Sequence, residues 1–252
     1  MLKIFRQLIV AFGWLTRLPV MRLVDHHPEK DHLQNALWAF PLVGAVTGLV
    51  TGWVIYALFA LLGLPSIPAV ALGVGISILL TGALHEDGFA DMLDGSAAGG
   101  NRIKRLRIMR DSSLGTYGVL GLIIMVIAKI FLIEYILIFK TKDFFLIMVM
   151  MGILSRAAIP FALYGFATKD KESSAAIQSL GIIQPVIALW IALIPLYFWF
   201  PLAQGLLSLI AAAILIIGFG IWAKKRLGGI TGDICGGLII CIEIIILIIF
   251  NR

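Results

Sequence analysis

From Leu202 to Ala223 the chain runs 22 residues without a charged side chain. As an α-helix such a stretch is about 33 Å long, close to the thickness of a bilayer's hydrocarbon core. Similar apolar runs lie near 37–62, 69–84, 117–139, 144–166, 182–200 and 234–250. They are continuous rather than alternating, which fits helices and not the strands of a barrel. The pattern predicts an all-α, polytopic integral membrane protein with about seven transmembrane helices. No soluble stretch exceeds about 35 residues in a chain that is 61% hydrophobic and 13% charged. A separate soluble domain is therefore not expected, and residues 1–252 read as one membrane-embedded domain.

Residues 1–22 carry no small-residue cleavage pattern and are not read as a cleavable signal. At 100° per residue, Lys3, Arg6, Gln7, Gly13 and Arg17 fall within an arc of about 120°. The remaining surface is Leu, Ile, Phe and Trp, which predicts a helix lying in the membrane interface and ending at Pro19. The polar piece Asp25–His32 holds three of the four histidines, His26, His27 and His32. They read as solvated loop residues. Cys235 and Cys241 lie about 9 Å apart on one predicted helix, beyond disulfide reach, and read as packing residues.

The net charge of +6 reports orientation before it reports a partner, and nucleic acid is not expected as one. If seven spans alternate, fifteen Lys and Arg fall on one side of the membrane and three on the other. That bias places residues 85–116 on the cytoplasmic side.

Residues 85–116 are the one long segment dense in acids, bases and glycines. Asp87, Asp91 and Asp94 recur at i, i+4, i+7 and share one helix face, with His85 and Glu86 beside it. Carboxylates roughly 6 Å apart repel by about 2–3 kcal/mol per pair at an effective dielectric near 20. A solvated acidic helix would tolerate this, but abutting a hydrophobic span it calls for a cation. Oxygen donors alone point to Mg²⁺, with Mn²⁺ as the alternative. Arg102, Lys104, Arg105, Arg107 and Arg110 follow, and metal carboxylates beside a basic strip suit a phosphate or pyrophosphate substrate. A second cytoplasmic cluster, Gly228–Asp233, offers glycine backbone N–H groups to an anion and Asp233 to a metal or hydroxyl. Plain helix capping is the competing reading there. Ionisable residues inside spans, Lys129, Glu134, Arg156 and Glu243, should face the protein interior, as substrate contacts, a proton relay or interhelical hydrogen bonds.

HEDGFADMLDG at 85–95, followed by RIMRDSSLGTYGVLGL, resembles the signature of the cobalamin synthase (adenosylcobinamide-GDP ribazoletransferase) family. WLTRLPV at 14–20, FPLVGAVTG at 40–48 and GGITGDICGG at 228–237, with Glu243 after it, agree in the same order. The resemblance implies transfer of the cobinamide phosphate of adenosylcobinamide-GDP to the 3′-hydroxyl of α-ribazole or its 5′-phosphate. GMP leaves, Mg²⁺ is required, and the setting is a bacterial inner membrane with its lipid. Carried onto this sequence, the metal ligands are Glu86, Asp87, Asp91 and Asp94, and the catalytic candidates are Asp94, Asp111 and His85. Candidate substrate contacts are Arg17, Arg105, Arg110, Ser113, Thr231, Asp233 and Glu243. Oligomeric state, homo-oligomer or not, stays open.

Two rivals stand beside this reading. A CDP-alcohol phosphotransferase also sets aspartates at helical spacing on membrane helices and releases a nucleoside monophosphate. This chain departs from that pattern, because Asp91 follows Ala90 where an Arg is expected and a second pair of spaced aspartates is absent. An ion-coupled transporter would carry its acids near the bilayer midplane, in repeats. Here most of them cluster at one face beside arginines.

Overall fold

The computed structural model describes residues 2–23, 30–168 and 180–252. Every named element among them is helical, and the one bridge is an isolated pairing of Ala167 with Ile230. His26, His27 and residues 169–179 lie outside the described residues, as does the side chain of His32.

The chain opens with α1 (Leu2–Leu15), which buries Val10, Ala11 and Leu15 and leaves Ile4, Phe5 and Trp14 outward. Apolar residues on both faces suit a helix packed on protein from one side and lipid on the other. The short α2 (Lys30–Ala36) leads into α3 (Phe40–Tyr56), and Trp38 Nε1 donates to Gln7 Oε1 at 2.8 Å, fastening α1 to this junction. Then come α4 (Ser66–Thr81), α5 (Leu84–Ala97), α6 (Arg102–Met109), α7 (Thr116–Phe139) and α8 (Phe144–Phe166). The described chain closes with α9 (Ile183–Trp199), α10 (Leu202–Leu227) and α11 (Gly232–Phe250).

α8 is the axis. Of its apolar span 78% is buried, against 22% for α10 and 28% for α7. The sequence explains the difference. α8 mixes Gly152, Ala157, Ala158 and Ala162 with Met148, Met150 and Met151, small and pliant residues that accept neighbours on every side. α10 sets Ile210, Ile214, Ile217 and Ile221 outward at helical spacing. Such a stripe would be an association surface in water and is an ordinary lipid face in a bilayer.

Five helical stretches are long and apolar enough to cross a membrane: Leu33–Leu61, Thr116–Phe139, Phe144–Phe166, Leu202–Leu227 and Gly232–Phe250. This is the all-α, multi-pass architecture the apolar runs predict, but the count of seven is not reproduced. α9 is a shorter apolar helix of 17 residues, and α4 with α5 forms a pair bent by 88° that counts as one further span at most. The motif helix therefore does not continue the second span, as its sequence suggested. The cause is local: Gly82 and Ala83 both take left-handed conformations, φ 66° and 57°, and turn the chain. Ala83 is the one described non-glycine residue at positive φ, at a cost of roughly 1–2 kcal/mol. The elbow is braced from outside where Arg17 N–H donates to Leu80 O at 2.8 Å.

The intramembrane charges face inward and meet. Glu243 on α11 accepts from Lys129 Nζ on α7 at 2.6 Å and from Arg156 Nη1 on α8. All three side chains are buried, and Arg156 also donates to Ser155 Oγ at 2.8 Å. Glu134 stays out of this cluster and accepts from Ser66 Oγ at 2.8 Å, tying α7 to the start of α4. Removing one partner from a buried ion cluster strands the others and costs about 3–5 kcal/mol. Glu243→Gln should therefore lower the melting temperature of the detergent-solubilised protein sharply, and an unchanged melting curve would remove the cluster from the list of folding determinants.

Candidate active site

The acidic face of α5 is assembled by helix packing on two sides. Against α11, the helices meet backbone to backbone. A Cβ on Gly236 would lie 3.1 Å from His85 O and 3.2 Å from Gly88 Cα, and one on Gly88 would lie 3.0 Å from Asp233 Cα. A side chain at either position would push the backbones apart by a few tenths of an ångström, and the close approach brings Asp233, in the first turn of α11, beside the acidic face. Asp91 then feels the negative charges of Asp87, Asp233 and Asp94 together.

Against α7, the join runs through Asp94. Its two carboxylate oxygens accept from Gly115 N–H at 2.8 Å and Gly118 N–H at 2.9 Å. These donors lie at the start of α7, where no carbonyl of the helix itself can reach, so Asp94 caps α7 from a distance of 21 residues in sequence. Asp94 thus holds the two helices together as well as belonging to the acidic face.

Asp87 and Asp91 make no side-chain hydrogen bond or ion pair among the described residues. Asp233 receives a long hydrogen bond from Thr231 Oγ1 at 3.4 Å, and the positive charge of Arg110 acts on it. Thr231 itself caps α11, accepting from Ile234 N–H at 3.5 Å. Among the described residues no three His, Cys, Asp or Glu side chains converge closely enough to form a finished metal cage. The chemistry of the donors nonetheless suits a hard divalent cation: oxygen only, negative, and uncompensated at Asp87 and Asp91.

Other sequence candidates sit elsewhere. Helix geometry turns His85 and Glu86 about 200° and 100° away from Asp87. Both are buried, within range of the charges of Lys129, Arg156 and Glu243, and His85 Nε2 and Glu86 Oε2 have no hydrogen-bond partner. Glu243 belongs to the same interior cluster. Arg105 is buried and donates through Nη1 to Gly95 O at 2.9 Å and Ser96 O at 2.7 Å, so its guanidinium closes the C-terminal end of α5. Asp111 is exposed and accepts from Ser113 Oγ at 2.6 Å and Ser113 N–H at 3.0 Å. Those two hydrogen bonds hold its carboxyl below the usual carboxylate range, which makes it a weaker proton acceptor.

One cavity opens on the acidic face through Asp87, and a second lies along α6. The first, of about 590 Å³, lies under the α4–α5 elbow and is lined by Trp14, Thr16, Arg17, Thr81, Gly82 and Asp87, among others. The second, of about 640 Å³, runs along α6 between Arg102, Ile103, Leu106, Arg107, Arg110 and Asp111. Sequence reading missed this division, along with the capping role of Asp94 and the glycine contact that recruits Asp233. The G-D-I-C-G-G spacing held a signal for the last, since Gly232 and Gly236 share a face of α11.

Asp94→Ala should free two N–H groups at the start of α7 and cost about 1 kcal/mol or more, with Asp94→Asn in between. Thermal unfolding of both variants checks this; a melting temperature equal to the parent's in Asp94→Ala would show that the cap carries no load.

A profile of the cobalamin-5-phosphate synthase family matches residues 7–251. A relative from Pseudoalteromonas atlantica, named adenosylcobinamide-GDP ribazoletransferase, is 33% identical over 242 residues, 92% of this chain and 86% of the relative. Proteins of the same name from Escherichia coli strain K12 and Shigella boydii serotype 4 are each 31% identical over 238 residues, 94% of this chain and 95% of theirs. No solved structure matches. With the profile covering nearly the whole chain and the relatives aligned over more than nine-tenths of it, the chain belongs to the cobalamin-5-phosphate synthase family.

Proposed function

We propose that this protein joins the two halves of a cobamide: it transfers the cobinamide phosphate of adenosylcobinamide-GDP to the 3′-hydroxyl of α-ribazole, or of its 5′-phosphate. The observation that carries the reading, in a chain of this family, is the set of uncompensated carboxylates, Asp87 and Asp91 with Asp233 beside them, with Arg17 in the cavity that Asp87 lines and the charge of Arg110 acting on Asp233. The hydroxyl oxygen bonds to the cobinamide-linked phosphorus, the bond from that phosphorus to the bridging oxygen breaks, and GMP departs with the bridging oxygen. A proton is released.

Each part has a residue suited to it. Arginines of the α6 groove meet diphosphate charge. The hydroxyl proton passes to Asp87 or Asp91, which have free lone pairs; His85 is turned inward and Asp111 is occupied by Ser113. Asp87, Asp91 and Asp233 would hold Mg²⁺, or Mn²⁺ in its place, with Asp94 contributing only by giving up backbone contacts. Such a cation, when bound, neutralises charge on the phosphoryl oxygens and the leaving group. The basic residues of α6 and of the last turn of α10 support a cytoplasmic orientation of this face in a bacterial inner membrane.

The deciding assay follows GMP release by lipid-supplemented, detergent-purified protein given adenosylcobinamide-GDP and α-ribazole, with and without Mg²⁺. Magnesium-dependent GMP with a cobamide product is expected; no GMP from folded protein would overturn the reading. Asp91→Asn keeps the side chain's volume and should lower kcat by about 100-fold or more. A rate within about threefold of the parent would exclude Asp91 from the reaction.

A further inference from the structure

The cavity under the α4–α5 elbow and the groove along α6 differ in a way that separates the two substrates. We propose that the elbow cavity is the acceptor subsite and that Arg17 holds the 5′-phosphate of a phosphorylated ribazole there, which makes Arg17 the residue that selects the phosphorylated acceptor over the free nucleoside. The inference rests on the transferase reading above.

The placement of Arg17 is built. Its backbone is hydrogen-bonded across the elbow to Leu80 O, and its side chain crosses directly over Gly82: a Cβ there would lie 2.1 Å from Arg17 Nε and 2.7 Å from Cγ. Gly82 is also left-handed, so one glycine both turns the chain and leaves room for the guanidinium. Arg17 makes no side-chain hydrogen bond or ion pair among the described residues, although Asp87 lines the same cavity. A cation and a carboxylate on one cavity wall, unpaired with each other, leave the guanidinium for a ligand anion and the carboxylate for the chemistry.

Size and charge separate the substrates. At about 590 Å³ the elbow cavity falls within the roughly 300–1,000 Å³ usual for ligands of nucleotide size, and it is far too small for a corrinoid. It holds one arginine, the match for one phosphate, and Trp14, 39% exposed on its wall, offers an aromatic surface to a flat base. The α6 groove gathers the charge of Arg102, Arg107 and Arg110, more than one phosphate calls for, and Arg102 is anchored through Nε to Leu227 O at 2.7 Å. Asp87 borders the first cavity, and Arg110 of the second acts on Asp233, so each subsite reaches the acidic face through its own aspartate.

The test is calorimetric binding of α-ribazole 5′-phosphate and of α-ribazole to the purified protein without donor, run in parallel with the GMP-release assay. The parent should bind the phosphorylated acceptor about 10–100-fold more tightly, the worth of a charge-assisted phosphate contact. Arg17→Gln should erase that ratio, Arg17→Lys should retain part of it, and Trp14→Ala should weaken both acceptors while keeping the ratio. No preference in the parent, a ratio unchanged in Arg17→Gln, or a rise in donor KM with the acceptor ratio intact would each overturn the assignment. Arg17-dependent preference without GMP release would sink the transferase reading and leave the subsite standing. GMP release with a ratio indifferent to Arg17 would do the reverse.

Discussion

A charge removed from water must find an opposite charge, and in a membrane protein this requirement fixes helices to one another. Glu243 meets it by reaching Lys129 and Arg156 at once, which locks α7, α8 and α11 in relative depth and rotation. Apolar packing alone specifies such register poorly, because lipid competes with every side chain for apolar contact. α5 is then set against this frame, with His85 and Glu86 turned toward the charged cluster and Gly88 seated on Gly236. Rotation of α5 about its own axis is settled by those contacts. The direction of the acidic face follows from it.

The reactive face is consequently held by structural parts that resemble functional ones. Asp94 repeats the spacing of Asp87 and Asp91, yet its oxygens carry the first turn of α7. Arg105 lies among the basic residues of α6, yet its guanidinium is spent on the carbonyls that end α5. These two contacts tie α5 at one end to its neighbours on both sides, while the Gly82–Ala83 elbow and Arg17 secure the other. What remains unpaired between the ties, Asp87 and Asp91 with Asp233 alongside, is the part free to meet a substrate.

Much of this was legible in residue order. The lengths of the apolar runs mark the class of protein, the i, i+4, i+7 aspartates mark the acidic face, and the motif HEDGFADMLDG carries the family. The apolar runs mark seven candidate spans and five helical stretches are long enough to cross, because hydropathy measures length and apolarity but not direction. The sharp turn at Gly82 and Ala83 depends on two backbone dihedrals, and alanine gives no warning of a left-handed one. The basic residues between Arg102 and Arg110 look alike in sequence for a related reason: only the fold shows that Arg105 reaches the carbonyls of Gly95 and Ser96 and Arg102 that of Leu227.

Residue order is enough to specify the all-helical membrane architecture, the family, and the angular relation of residues within any one helix. Each of these follows from local periodicity or from the order of motifs along the chain. Tertiary structure alone decided that Glu243 belongs with Lys129, 114 residues away, that Asp233 joins the aspartates of α5, and that Arg17 stands over Gly82. A helix fixes angles about its own axis and says nothing of its partner. Only close approach of backbones, at glycines such as Gly88 and Gly236, turns two lists of side chains into one site.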